Sequence, residues 1–234
     1  MTAAAADLTP LVELERLLER YQHLWRGREM AETRADTFPT GFTELDAALP
    51  GGGWPRKALL ELIVPRWGIG ELKLLLPLLA TLGKEARWSM WIDPPFIPYA
   101  PALAEAGVNL DRTLLVTPRR PATETAWCME KALSAGTCAL VMAWGENLPD
   151  RTLRRLQLAA ERGGSLGILF RTREHGPSPA AVRIRLEPAG NGLDVEILKA
   201  RGGLVVKKRL LKLEQSNDTL HGGHHPGQWQ NSSG

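Results

Sequence analysis

The feature that most constrains this chain is a regular alternation of short apolar runs and helical segments from residue 58 to residue 171. Ala58–Pro65 (ALLELIVP), Trp88–Asp93 (WSMWID), Thr113–Thr117, Cys138–Trp144 (CALVMAW) and Ser165–Arg171 (SLGILFR) have strand length and are bounded by turn residues. Between them, Glu71–Leu82, Tyr99–Ala106, Ala122–Ser134 and Asp150–Arg162 read as helices, with Pro77 predicting a kink inside the first. Strands separated by helices predict an α/β fold, a mostly parallel sheet flanked by helices on both faces. The later runs AVRIRLEP, LDVEILKAR and LVVKKRLLKL mix apolar with basic residues, and Asn191-Gly192 marks a hairpin turn between the first two. They predict an antiparallel C-terminal extension of the sheet.

Three segments follow from this reading. Residues 1–33 hold an amphipathic N-terminal helix, in which Leu11, Leu18 and Trp25 share the apolar stripe and are candidates for partner contact or self-association. Residues 34–213 form the core domain. It is entered through Thr40–Pro55 (TGFTELDAALPGGGWP), whose three glycines make a tight connection. Residues 214–234 form a polar tail expected to be disordered, so His221, His224 and His225 there are read as tail rather than as a metal site. No apolar run approaches the roughly 20 residues of a membrane span, and the N-terminus lacks a secretory pattern. With only Cys128 and Cys138, neither a disulfide framework nor a zinc site is expected, and the cytoplasm is the expected location.

Charge is distributed unevenly. Residues 1–149 carry 15 Lys+Arg against 18 Asp+Glu, whereas residues 150–213 carry 14 against 6. Arg151, Arg154 and Arg155 fall together on one helix, Arg171 and Arg173 follow a core strand, Arg183 and Arg185 share one strand face, and Lys207, Lys208 and Arg209 form a run. This concentration points to a binding surface for DNA or for an acidic protein partner.

The loop after the first core strand, Val64-Pro65-Arg66-Trp67-Gly68-Ile69-Gly70-Glu71-Leu72, lies where a phosphate-binding loop belongs. Its chemistry is wrong for a triphosphate. With Gly70 as the last glycine of the motif, Glu71 takes the lysine position and Leu72 the Ser/Thr position. A carboxylate repels phosphate and leucine cannot ligate Mg²⁺. The strand that should end in a metal-binding acid ends in Ala143-Trp144-Gly145, and where a general base is needed after Asp93 the chain has Pro94-Pro95. No catalytic, cofactor or metal residue is expected, and the chain is read as a non-enzyme. Trp67 and Trp144 are expected to fill the vestigial site, and Trp54, Trp88, Trp91 and Trp127 to lie on or near core elements.

Several of these segments carry a family resemblance. TGFTELDAALPGGGWP and Trp91–Val116 (WIDPPFIPYAPALAEAGVNLDRTLLV) resemble the RecA/RadA recombinase core, with similarity over Thr40–Arg171. ALPGGGWPRKALLELIV, RWGIGELKLLLPLLA, LVMAWGENL and a late LKARGG are similar to the ImuA family of translesion-synthesis accessory proteins, also described as SulA-like or RecA-like. That resemblance implies a RecA-like core and a non-catalytic, DNA-damage-inducible adaptor of a mutasome. Its implied partners are a Y-family-like polymerase homologue, an error-prone replicative-type polymerase and RecA. The alternatives it leaves open are a SulA-like cell division inhibitor acting on the tubulin-like septal protein and a DNA-binding RecA-fold ATPase.

Overall fold

The computed structural model describes residues 36–190, 192–200 and 209–211. The proposed N-terminal helix with Leu11, Leu18 and Trp25, the basic pair Lys207 and Lys208, and the tail from residue 214 lie outside the described residues.

A small hairpin opens the described chain: β1 (Thr37–Phe38) pairs antiparallel with β2 (Trp54–Pro55), enclosing helix α1 (Thr43–Ala48). The tight connection expected over this stretch therefore contains a helix. Its helix is only six residues long, too short to show a periodicity, and the side chain of Asp46 holds it by accepting the Thr40 backbone N–H at 2.8 Å.

The main sheet has eight strands: β3 (Leu59–Ile63), β4 (Trp88–Ile92), β5 (Thr113–Val116), β6 (Cys138–Trp144), β7 (Leu166–Arg171), β8 (Val182–Ala189), β9 (Gly192–Ala200) and β10 (Arg209–Leu211). Their order is β10-β9-β8-β3-β7-β6-β4-β5. The six strands from β5 to β8 in that order pair in parallel, and β9 and β10 continue antiparallel. The alternation therefore produces the expected mixed α/β fold with a mostly parallel sheet. The β8–β9 turn differs by one residue from expectation: Ala189 pairs with Gly192, so Gly192 belongs to the strand and Gly190, at φ 57°, takes the turn.

Both sheet faces are covered, which is why β3 and β6 are buried along their whole length. On one face, Leu60, Leu62, Met142, Trp144 and Phe170 pack against α2 (Leu76–Leu82) and against Leu103 of α3 (Ala100–Glu105). On the other, Leu59, Val141, Ala143 and Leu169 pack against Met129 and Leu133 of α4 (Pro121–Ser134) and Leu153 and Leu156 of α5 (Asp150–Gly163). Pro77 does not kink a longer helix. Lys73–Leu75 form a separate 3-10 turn and α2 begins at Leu76, so the proline sits in the first turn, where it has no hydrogen bond to lose. No helix among the described residues is long and apolar enough to cross a membrane.

Candidate functional site

The connections leaving β4 and β6, which are neighbours in the sheet, run in opposite directions: β4 leads outward to β5 and β6 inward to β7. At such a switch point the loops diverge and leave a crevice beyond the carboxyl ends of the strands. A pocket of about 310 Å³ lies there. Trp91 of β4 and Trp144 of β6 line it, with Gly68, Gly70, Glu71, Leu72 and Lys73 from the loop after β3 and Pro94–Pro98 from the loop after β4.

The glycine loop is folded around its own carboxylate. Gly68 and Gly70 have φ of 84° and 108°, a region that side-chain-bearing residues avoid, and this turns their N–H groups inward. Gly68 donates to Glu71 Oε1 at 2.8 Å and Gly70 to Glu71 Oε2 at 3.1 Å. Converging backbone N–H groups of this kind make an anion nest. Here the nest is taken by a tethered anion, buried at 5% exposure. The incompatibility between Glu71 and a phosphate is therefore also geometric, because the carboxylate stands on the donors that a phosphate would need.

The floor is aromatic. Trp144 stacks on Phe170 with ring centroids 4.5 Å apart and planes 4° apart, and Trp91 lies 6.2 Å from Trp144. Trp91 Nε1 donates to Ser89 Oγ at 3.0 Å. One expectation about tryptophans needs correcting. Trp67 packs against the core cluster and not in the pocket, which keeps an open volume instead of being filled. Trp127 lies on α4, a helix that packs on the core, with its own side chain 57% exposed.

The rim was not singled out from sequence. Phe96, Ile97 and Tyr99 are 67%, 92% and 72% exposed, set in a segment with prolines at 94, 95 and 98. Large apolar side chains held out to solvent together mark an interaction surface. The prolines restrict the backbone, so less freedom is lost when the loop is docked. The available signal was an apolar run (PPFIPY) that fits neither helical nor strand periodicity.

The basic residues divide. Arg171 and Arg183 are not on a surface. They are buried against Glu61 of β3, with Arg171 Nη1 at 2.7 Å from Oε1 and Arg183 Nε at 2.8 Å from Oε2. The register explains it: Arg183 lies opposite Glu61 and Arg171 opposite Ile63, which brings all three side chains to the α4/α5 face. Arg183 also donates to the His175 carbonyl at 2.8 Å. Arg185 bridges Glu174 and Glu196. The face shared by Arg183 and Arg185 is thus turned to carboxylates, and these arginines are withdrawn from a polyanion surface. Arg173 is exposed in the loop after β7, and Arg209 is in β10. Arg151, Arg154 and Arg155 are exposed on α5, with Arg155 paired to Glu130 of α4.

Among the described residues no group of three or more His, Cys, Asp or Glu could hold a metal. Asp93, at φ 58°, is not among the residues lining the pocket. Neither cysteine is an activated nucleophile: burial pushes both thiols up, and at Cys128 the Glu124 carboxylate adds to the rise.

Comparison with known proteins bears on this geometry directly. The family model of the cell division inhibitor SulA matches residues 68–167. The cell division inhibitor SulA of Edwardsiella piscicida is 34% identical over 119 residues, covering 51% of this chain and 70% of that protein. The chain belongs to the SulA family. SulA of Photorhabdus laumondii is 34% identical over 102 residues, covering 44% of this chain and 57% of the relative. The crystal structure of SulA from Pseudomonas aeruginosa is 30% identical, covering 48% of this chain and 96% of that one, with a TM-score of 0.41. The chain spans a little over half the length of the first SulA relatives it matches.

This overturns the reading of the chain as a translesion-synthesis adaptor. The relatives carry the name of a cell division inhibitor, so the SulA-like part of the resemblance stands, and the mutasome role and its polymerase partners go with the discarded reading. Every residue lining the pocket lies within the matched span 68–167, together with Arg151, Arg154 and Arg155; the basic residues from Arg171 onward lie outside it.

Proposed function

We propose that this protein is a non-enzymatic inhibitor of cell division that docks the rim of the β4/β6 pocket on a protein of the division machinery. The partner we assign is the tubulin-like septal protein, which places the action in the cytoplasm, and induction by DNA damage fits the same reading. One observation carries it: the pocket and its solvent-exposed rim, Phe96 and Ile97, lie wholly inside the span matched by the SulA family, while Glu71 occupies the backbone N–H groups of the glycine loop.

Docking without chemistry is consistent with the residues present. The site has no lysine at a phosphate position, no hydroxyl or acid placed for Mg²⁺ and no nucleophile. The parallel sheet, flanked by helices and extended by antiparallel β9 and β10, supports a RecA-like core retained as a scaffold for presenting the rim.

The test couples a cell assay with a binding assay. Expression in a rod-shaped bacterium is expected to block septation and give filaments, and the purified protein to lower polymerisation of the septal protein measured by light scattering. A Phe96→Ser, Ile97→Ser variant should lose both effects. Normal division at full expression of the wild type, with unaltered polymerisation, overturns the proposal.

A further inference from the structure

The outer face of α5 shows a pattern that the pocket does not use. Leu153, Leu156, Ala159 and Ala160 turn inward to the core. Arg151, Arg154, Arg155, Leu158, Glu161 and Arg162 are exposed and recur at three- and four-residue steps, so they form one outward stripe. At 1.5 Å per residue the stripe from Arg151 to Arg162 is about 16 Å long.

Two things distinguish it from an ordinary solvated face. First, its arginines are largely unspent. Arg155 is paired with Glu130, and the Gln157 side-chain amide donates to Glu161 at 2.7 Å, whereas Arg151, Arg154 and Arg162 face no carboxylate among the described residues. Elsewhere in the same molecule Arg56, Arg171, Arg183 and Arg185 each meet one, and Arg66, Arg119 and Arg173, which have no such pair among the described residues, lie on loops, whereas the α5 arginines share one helix face. Second, the stripe has an apolar centre. Leu158 is 47% exposed between Arg155 and Arg162, and Trp127, 57% exposed, lies three residues before Glu130 on the adjoining helix.

We infer that the outer face of α5 is a second docking surface, for an acidic helical segment of a partner protein that carries an apolar residue between its carboxylates. Carboxylates spaced along a helix can pair bidentately with guanidinium groups spaced along another. Exposed ion pairs alone hold weakly, so Leu158 supplies the water-excluding anchor and the arginines supply sign and register. A nucleic acid fits less well. It has no use for Leu158, whose apolar side chain offers nothing to a phosphate backbone.

The surface is separate from the pocket rim, so the two readings fail separately. The probe is a fluorescein-labelled helical peptide of about 16 residues, long enough to fold in part on its own, with glutamates flanking a central leucine on one face. Its control has the same composition scrambled so that the face is lost. Anisotropy with the full-length protein should show the patterned peptide binding at least fivefold more tightly than the scrambled one. Reversing Arg151, Arg154 and Arg162 to Glu should weaken it about tenfold, the sum of three modest exposed pairs. Leu158→Ser, which leaves every charge in place, should weaken it several-fold, an effect that unspecific attraction would not give. An Arg→Gln set at the same three positions repeats the test if the reversals unfold the protein. The inference is overturned if neither peptide binds, if both bind alike, or if the variants bind as the wild type does. It is also overturned if a single-stranded oligonucleotide of about 20 nucleotides competes the peptide off the same arginines in a salt-dependent way.

Discussion

Two buried carboxylates sit on the sheet's central strand or just beyond it, and they are held in opposite ways. Glu71 accepts two N–H groups from the glycine loop and needs no counter-charge. Glu61, ten residues earlier on β3, faces two guanidinium groups that are themselves buried. Around Glu71 the molecule turns apolar groups outward, in Phe96 and Ile97; around Glu61 it turns charged groups inward, in Arg171 and Arg183. Both are inversions of the usual partition. In the first case the exposed apolar groups belong to an open rim. In the second, the charges answer one another and are closed to any partner.

The largest expected effect comes from breaking the Glu61 cluster. Glu61→Ala leaves the Arg171 guanidinium buried without a counter-charge and Arg183 with only its longer pair to Glu174, at 3.7 Å, and should cost about 3–5 kcal/mol in urea unfolding. Replacing Glu61, Arg171 and Arg183 together by apolar residues of matched volume should recover most of that loss, since a buried ion cluster is often no more stable than a packed apolar one. Failure of the triple variant to recover would show that the cluster does more than balance its own charges.

Glu71→Ala should cost less, about 2 kcal/mol, the value of hydrogen bonds to a charged group whose donors regain water. It also probes the nest. Calorimetry with Mg·ATP should show neither tight binding nor turnover in this variant, because Leu72 and Trp144 still deny the metal its ligands. Micromolar binding in the variant alone would mean that the tethered carboxylate is the sole barrier to nucleotide.

Phe96→Ser and Ile97→Ser should move stability least, within about 0.5 kcal/mol, as exposed positions do. These same changes are the ones expected to abolish the division inhibition proposed above. If they unfold the protein instead, the loop is packed structure and the contrast with the Glu61 side disappears.

The sheet could be read from the sequence because each core strand is a short apolar run between turn signals. Cys138–Trp144 was placed at the bounds it occupies. That Glu71 and Leu72 lack the chemistry for a triphosphate and Mg²⁺ was readable from residue type only as an expectation. Where Glu71 would point was not, because its hydrogen bonds depend on two positive-φ glycines whose conformations no spacing reveals. The basic segment misled for a related reason. Arg171 and Arg183 are far apart in the chain from Glu61, and only the parallel pairing of β3 with both β7 and β8 brings the three together. The pocket rim escaped notice because Phe96 and Ile97, lying between prolines, resemble an apolar connection as much as a surface.

Gly163 closes α5 against the end of α4 so tightly that a Cβ built there would stand 1.8 Å from the Leu133 carbonyl oxygen. The two helices therefore meet through main chain, and no change of rotamer can separate or re-phase them. They behave as a single stiff plate bolted at one end. Whatever Trp127 and Arg155 present to the outside is held at a spacing set by the polypeptide skeleton. Drift at the surface can change which groups the plate shows, but shifting one helix along the other would require rebuilding the joint itself.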